Sequence, residues 1–172
     1  MRKNAILKMA AAGMMAVAMT TAPLAVLAQG GDTVLKPADT QKLLPASVFY
    51  RAQSATTQLR NSGGVKFGDG YLVLATMVDT SGYSSDVASK YQAYFITEVP
   101  IKVGGKILPA GIYGVGFVGK KFLVTDVGAH DVLMVATTED AGLKRPMPLQ
   151  VVADPAGGFR LYAQRQYVNF SR

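Results

Sequence analysis

The sequence predicts an all-β protein, a small antiparallel barrel or barrel-like sandwich of about 8–10 strands with short helical turns only. Residues 95–126 hold three apolar runs, broken by Gly104-Gly105, by the Leu-Pro-Ala-Gly turn at 108–111 and by Gly119-Lys120. Glycine supplies the positive φ angles that tight hairpin turns need, and proline presets φ at a turn corner. Short β-branched runs between such turns are typical of consecutive antiparallel strands.

The positions of the strands are predicted from the same glycine and proline turns. Residues 29–46 are predicted to be a flexible leader, and residues 47–172 a single β domain. A first strand is expected at 47–53, an exposed or edge strand at 54–61 and a turn at 62–64. Later strands are expected at 64–67, 71–78, 131–137, 149–153, 159–164 and 167–170. Pairing the first strand with the last would close the sheet and remove its exposed edges.

Residues 1–28 are predicted to be a secretory signal peptide. Arg2, Lys3 and Lys8 precede or flank an apolar run, and Val26-Leu27-Ala28 has the small residues that signal peptidase accepts. The apolar run is interrupted and short for a membrane span of about 20 residues. We therefore expect a periplasmic or secreted protein with no membrane span after cleavage. The chain has no cysteine, which excludes disulfides, thiolate metal sites and a lipid-anchored lipoprotein.

The charge indicates the kind of partner only weakly. Beyond residue 28 the chain has 15 basic and 11 acidic residues, a difference of +4. The basic residues are scattered apart from Lys120-Lys121 and Lys144-Arg145, without the interleaved aromatic residues of a nucleic-acid surface. We expect a protein or an anionic envelope polymer as partner and no nucleic acid; the oligomeric state stays open.

The strand at 112–118 has one face without side chains at its middle. By the two-residue strand period, Gly114 and Gly116 lie on the face opposite Tyr113, Val115 and Phe117. Either an aromatic ring or a neighbouring element packs on this glycine face, or it forms a shallow ligand groove.

Three segments could carry chemistry, but each lacks part of the motif that the chemistry requires. The Asp79-Thr80-Ser81-Gly82 turn has a residue too many for an aspartic-protease loop and has no second copy. Gly114-Val115-Gly116 lacks the third glycine and the helix of a nucleotide fingerprint. His130, the single histidine, has Asp126 and Asp131 nearby, which is too few aimed ligands for zinc. We expect no enzyme, no catalytic residue, no metal and no cofactor.

Tyrosine and arginine side chains are the best candidates for partner binding, because both types are enriched in interfaces. The long polar loops at 79–90 and 138–148 could form one composite surface, centred on Tyr83 and Arg145, if they leave the sheet at the same end. The candidates are Tyr83, Tyr91, Tyr94, Arg145, Arg160, Tyr162 and Arg165, with Tyr167 beside the last three.

The run IKVGGKILPAGIY at 101–113 resembles a segment of an uncharacterised exported bacterial all-β family, which carries V-x-V-G-G-K-x-L-P-A-G-x-Y. Isoleucine stands here at the first position of that pattern. VDTSGYSS, KYQAYFITEVP, LKRPMPLQVVADP and RLYAQRQYV extend the resemblance from about residue 47 to the end. The resemblance implies an exported β domain and brings no known activity.

The sequence therefore predicts a non-enzymatic exported β domain that binds or assembles with an envelope or extracellular partner. The alternative is a carrier of a small apolar ligand with a barrel cavity, which would need several hundred Å³ of enclosed space. A hydrolase ranks third, because it would need converging polar groups with perturbed pKa values.

Overall fold

The computed structural model describes residues 31–172, so the predicted signal peptide and its cleavage site lie outside the described residues. No helix within residues 31–172 is long and apolar enough to cross a membrane. The described chain is mostly antiparallel β-strand with two short helices, which confirms the predicted fold class. In chain order the elements are β1 (Thr33–Leu35), α1 (Pro37–Thr40), β2 (Ser47–Tyr50), β3 (Gln53–Lys66), β4 (Leu72–Val78), α2 (Ser85–Lys90), β5 (Ala93–Thr97), β6 (Ile101–Val103), β7 (Lys106–Leu108), β8 (Gly111–Val118), β9 (Lys121–Thr125), β10 (Asp131–Ala136), β11 (Thr138–Glu139), β12 (Met147–Ala153), β13 (Phe159–Gln164) and β14 (Gln166–Ser171).

The first sheet has the order β1-β3-β4-β5-β8-β9-β10, and β2 also pairs with β3. All of its pairs are antiparallel. The Gly-Asp-Gly turn at 68–70 joins β3 to β4, as the sequence predicts, and Gly70 has a φ of 96°.

The second sheet has the order β12-β13-β14-β6-β7, and β11 also pairs with β14. The turn at Gly104-Gly105 joins β6 to β7 in a hairpin, with φ angles of 53° and 83° at the two glycines. The Pro109-Ala110 link then carries the chain from β7 in the second sheet to β8 in the first. The predicted glycine hairpin is therefore present, while the proline turn changes sheets.

The main core lies between the two sheets. Alternate side chains of both sheets meet there, and Phe95, Leu108, Phe122 and Leu161 are fully buried. This packing is that of a barrel-like sandwich, since each sheet buries one face against the other.

The predicted closure by the first and last strands is wrong. β2 pairs with β3, and β14 pairs with β13, β11 and β6. One exposed edge, that of β10, is protected locally instead. On β10, Lys106 Nζ donates a hydrogen bond to the Met134 carbonyl at 3.2 Å, which occupies an edge acceptor.

A second apolar layer covers the outer face of the first sheet. Leu74 and Val78 of β4 point away from the main core and pack with Val48 and Tyr50 of β2 and with Val87 of α2. Both faces of the middle strands are therefore buried, which explains why the residues of β4 other than Thr76 are apolar without alternation.

Two local predictions about the N-terminal part are corrected. Within the predicted leader, β1 pairs with residues 64–66 of β3, and Thr40 of α1 is fully buried. The predicted turn at 62–64 is instead part of β3, whose register with β4 shifts between Gln58 and Ser62. Ser62 Oγ lies 2.7 Å from Thr40 Oγ1, so α1 contributes a hydrogen bond at this bulge.

Candidate functional site

A groove made of depressions that share lining residues lies around the turn between β8 and β9. It consists of three adjoining depressions of about 570, 310 and 370 Å³. Lys120 lines the first two, and Glu139 and Gln166 line the second and third. We call this feature the basic groove, because lysine and arginine residues surround it.

The β8–β9 turn places Lys120 and Lys121 at the centre of the groove. Val118 pairs with Lys121 across a two-residue turn, and Gly119 adopts the φ of 62° that this turn requires. The Thr137 amide donates a hydrogen bond to the Lys120 carbonyl at 3.0 Å, which ties the turn to the segment that leads into β11.

Gln92 fixes one wall of the groove. Its side-chain Nε2 donates to the carbonyls of Ser89 and Phe117 at 3.1 and 3.2 Å, and its Oε1 accepts from the Phe117 amide at 3.0 Å. These bonds attach the end of the α2 loop to the end of β8. The wall is therefore a rigid part of the sheet rather than a free loop.

Arg165 fixes the opposite wall. It lies in the tight β13–β14 turn, and its Nη1 donates to the carbonyls of Ala141 and Leu143 at 3.1 and 2.6 Å. The preceding residue, Gln164, has a φ of 56°, a conformation that costs a non-glycine residue free energy. Arg165 thus acts mainly inside the molecule, where it shapes the 138–148 loop.

Positive charge is concentrated around the groove. Lys120 and Lys121 line it. Lys90 ends α2 two residues before Gln92, with its backbone against Gly116 of β8, and Lys144 and Arg145 immediately precede the lining residue Pro146. Within residues 31–172 none of these five residues forms an ion pair. Glu139 is the acidic residue in the lining. The local field therefore favours an anion.

Three of the tyrosines predicted to bind a partner are buried, and one of them, Tyr162 on β13, is 3% exposed. Tyr91 and Tyr94 are 1% and 9% exposed and belong to the outer layer of the first sheet. Tyr91 stacks on Tyr50 with ring centroids 3.8 Å apart, and burial raises the pKa of Tyr91 well above its usual value. Tyr83 is partly buried, and its hydroxyl lies within hydrogen-bonding distance of the Tyr50 and Gln53 carbonyls. Tyr83, Tyr91 and Tyr94 stabilise the layer and do not form an open surface.

The glycine face is filled by this layer. A Cβ atom at Gly114 would lie 2.6 Å from the Tyr91 ring and 2.7 Å from the Tyr50 ring. At Gly116 it would lie 2.1 Å from the Lys90 carbonyl oxygen. The two glycines allow α2 and the tyrosine stack to approach bare backbone. Of the two interpretations of this face, packing by an aromatic ring or a neighbouring element is therefore correct, and the ligand groove is wrong.

Arg160 and Tyr162 belong to a polar network on the second sheet. Arg160 Nη2 donates to Asp154 Oδ1 at 2.9 Å, and the guanidinium lies 4.6 Å from the Tyr167 ring centre. Tyr162 donates to the Asp140 carboxylate at 3.0 Å. The Arg160 hydrogen bond holds the pKa of Asp154 below its usual range. These groups satisfy one another, apart from Arg160 Nε, which is buried without a partner.

Two of the candidates for chemistry, His130 and Asp79, lie in separate turns with local hydrogen bonds. His130 is exposed, and its Nδ1 lies 2.9 Å from Asp126 Oδ2 in the β9–β10 turn. Hydrogen bonds from the His130 amide and ring lower the pKa of Asp126. Asp79 accepts a bond from the Ser81 amide, as in an ordinary turn. Within residues 31–172 no group of three acidic or histidine side chains could hold a metal ion.

The two long loops meet in part. Gln92, just after the 79–90 loop, and Glu139 and Pro146 of the other loop line the same depression. Arg145 is exposed beside it, whereas Tyr83 lines a different cleft of about 430 Å³ between β3 and its own loop. Sequence reasoning missed Gln92, Met134 and Val118 as groove residues. Of its binding candidates, Arg165 lines the groove, and the Lys120-Lys121 pair gave a further signal.

Comparison with protein families, characterised proteins and solved structures found no match to this chain.

Proposed function

We propose that this chain is a non-enzymatic exported β domain that binds an anionic envelope or extracellular partner in the basic groove. The observation that carries the proposal is the set of cations around a preformed groove that form no ion pair with any residue of the described range 31–172. Groups of one sign around a cleft attract and orient an oppositely charged partner.

The groove has the rigidity that recognition needs. Gln92 and Arg165 fix its two walls through side-chain bonds to backbone carbonyls. A partner that binds here would lose little free energy to ordering of the protein, since the walls are already in place.

The packing favours this function over an apolar-ligand carrier inside a barrel. The space between the sheets is occupied by large side chains such as Phe95, Phe122 and Leu161. A carrier of that kind would need an enclosed cavity of several hundred Å³ at this place. The hydrolase alternative has less support, because Asp79 and His130 lie in separate turns with local hydrogen bonds.

Charge reversal tests the proposal. We expect the double variant Lys120→Glu/Lys144→Glu to bind dextran sulfate about tenfold more weakly than the wild type, because two surface attractions become repulsions. Calorimetric titration at low and high salt measures this difference, which salt should reduce. Uncharged dextran should bind neither protein.

Lys42→Glu/Lys66→Glu is the matched control, because both lysines are exposed and the net charge changes by the same amount. We expect it to retain most of the affinity. If both double variants weaken binding equally, net charge alone attracts the polymer, and the proposed groove is wrong.

A further inference from the structure

The largest of the three depressions has an apolar floor. It measures about 570 Å³ and is lined by Val118 at the end of β8, by residues 134–136 of β10 and by the β8–β9 turn. Val118 and Met134 are 40% and 41% exposed, although both are large apolar side chains. Exposed apolar side chains that line a shared depression indicate a binding surface.

The strand register explains why this floor is open. Val118, Lys121 and Ala136 lie in one row across β8, β9 and β10, and Gly116, Leu123 and Met134 lie in the next. The Lys90 carbonyl covers Gly116, and Leu123 is buried. The outer layer of the first sheet thus ends over the middle of the sheet, and β10 remains uncovered on this face.

Cations border the apolar floor on one side. Lys121 shares a row with Val118, and Lys120 lies at the tip of the turn. A lysine can lay its hydrocarbon stem on an apolar surface and keep its ammonium group in water. The depression therefore offers an apolar surface and a positive rim next to each other.

We propose that this depression binds a single-chain anionic amphiphile, with the hydrocarbon chain on Val118 and Met134 and the anionic headgroup on Lys120 and Lys121. The inference rests on the proposed function, since it names the class of anion that the basic groove takes. The volume lies within the range of about 300–1,000 Å³ that is usual for small-molecule sites. Met134 adds a flexible side chain that adapts to a hydrocarbon chain.

A β-strand from another chain fits this place less well. Strand addition at β10 would need its outward carbonyls, and Lys106 Nζ already occupies the Met134 carbonyl at 3.2 Å. The apolar floor is formed by side chains on the sheet face, and the Lys106 bond leaves that face open.

Methyl NMR of protein labelled at the methionine methyl groups tests the inference. We expect decyl phosphate, kept below its micelle concentration, to shift the Met134 methyl signal saturably. Met147 is an internal control, because it is 40% exposed on the second sheet and lies outside this depression. Decyl maltoside, with the same chain and an uncharged headgroup, should bind at least about tenfold more weakly, because it lacks the attraction to two lysines.

Two matched variants sharpen the result. Met134→Ser should lose most of the decyl phosphate affinity, whereas Met147→Ser should keep it. Lys121→Glu should weaken decyl phosphate and leave the weak binding of decyl maltoside nearly unchanged. Equal responses of Met134 and Met147, or equal binding of the two amphiphiles, would overturn the inference.

The two proposals can fail separately. Loss of dextran sulfate binding in Lys120→Glu/Lys144→Glu, without any Met134 shift by decyl phosphate, would keep the basic groove and reject the amphiphile. A Met134 shift with unchanged dextran sulfate binding in that variant would reject the wider groove. Binding to vesicles of anionic phospholipid, without binding of monomeric decyl phosphate, would point to a bilayer surface and overturn the inference.

Discussion

Gly116 shows at the scale of one residue how an absent side chain determines the packing of a whole layer. The sequence indicates that something packs at this strand position or that a groove lies there, and both alternatives follow from the same missing Cβ. The structure places the Lys90 carbonyl directly over it. Sequence reasoning favoured packing but could not identify the covering group, because that group is a backbone atom of α2.

We expect Gly116→Ala to destabilise the protein by about 1–3 kcal/mol, because overfilling a packed site forces the backbone to move. The new Cβ would lie 2.1 Å from the Lys90 oxygen. Urea unfolding measures the change. Gly82→Ala is the control, since a Cβ there meets nothing within 4 Å and φ is not positive. A loss at Gly116 no larger than at Gly82 would contradict this packing.

Asp154 is a residue whose role the sequence does not reveal. Its side chain is 1% exposed and accepts hydrogen bonds from Arg160, Asn169 and the Ala156 amide. The pattern predicts only a turn at this position. Its function as the centre of a polar network depends on β13 and β14 bringing Arg160 and Asn169 side by side.

We expect the stability that Asp154 contributes to depend on pH. The Arg160 hydrogen bond lowers the pKa of the folded-state carboxyl below its unfolded value of about 3.9. The contribution is therefore present above that unfolded value and is lost as pH falls through the folded pKa. Asp154→Asn should lower stability at pH 7 and make the change between pH 7 and pH 3 smaller than in the wild type.

Urea unfolding at the two pH values measures this effect. Asp126→Asn is the comparison, because Asp126 is more exposed and pairs with an exposed His130. It should change stability at pH 7 less than Asp154→Asn does. An unaltered pH dependence in Asp154→Asn would mean that the network does not need the charge.

At the scale of elements, hairpins were predicted well and sheet membership was not. The Gly104-Gly105 hairpin follows from local turn chemistry, since two residues with positive φ suffice to specify it. The change of sheet at Pro109-Ala110 depends on which strands lie on either side, and no local pattern encodes that. The basic groove was missed for the same reason, because its residues come from both sheets.

The edge of β10 yields a prediction about association. We expect Lys106→Ala to increase concentration-dependent self-association, because it frees the Met134 carbonyl on an edge strand. Sedimentation velocity over a range of concentrations measures this. Lys102→Ala is the control, since Lys102 lies on the adjoining strand β6 and is exposed. Indistinguishable sedimentation of the two variants and the wild type would show that other features protect the edge.

At the scale of the whole molecule, composition and turn spacing sufficed for the all-β class and the barrel-like sandwich. They did not predict the two apolar layers on opposite faces of one sheet. The segment at 71–78 is apolar except for Thr76, and a strand buried on both faces has that pattern. The outer apolar layer is supplied by β2 and α2 through long-range contacts with the first sheet, which the local sequence does not specify. The sequence argument assumed a closed sheet, so it did not predict how the β10 edge is protected.

The position of β14 sets an order of events during synthesis. The first sheet is complete once Ala136 has been made, whereas β14 lies between β13 on one side and β6 and β11 on the other. β6 pairs with β7 a few residues later, but Lys102 and Val103 gain their β14 partners only some 70 residues later in the chain. A growing chain can hold one finished sheet whose main core is still open to solvent, until the final strand arrives and encloses it.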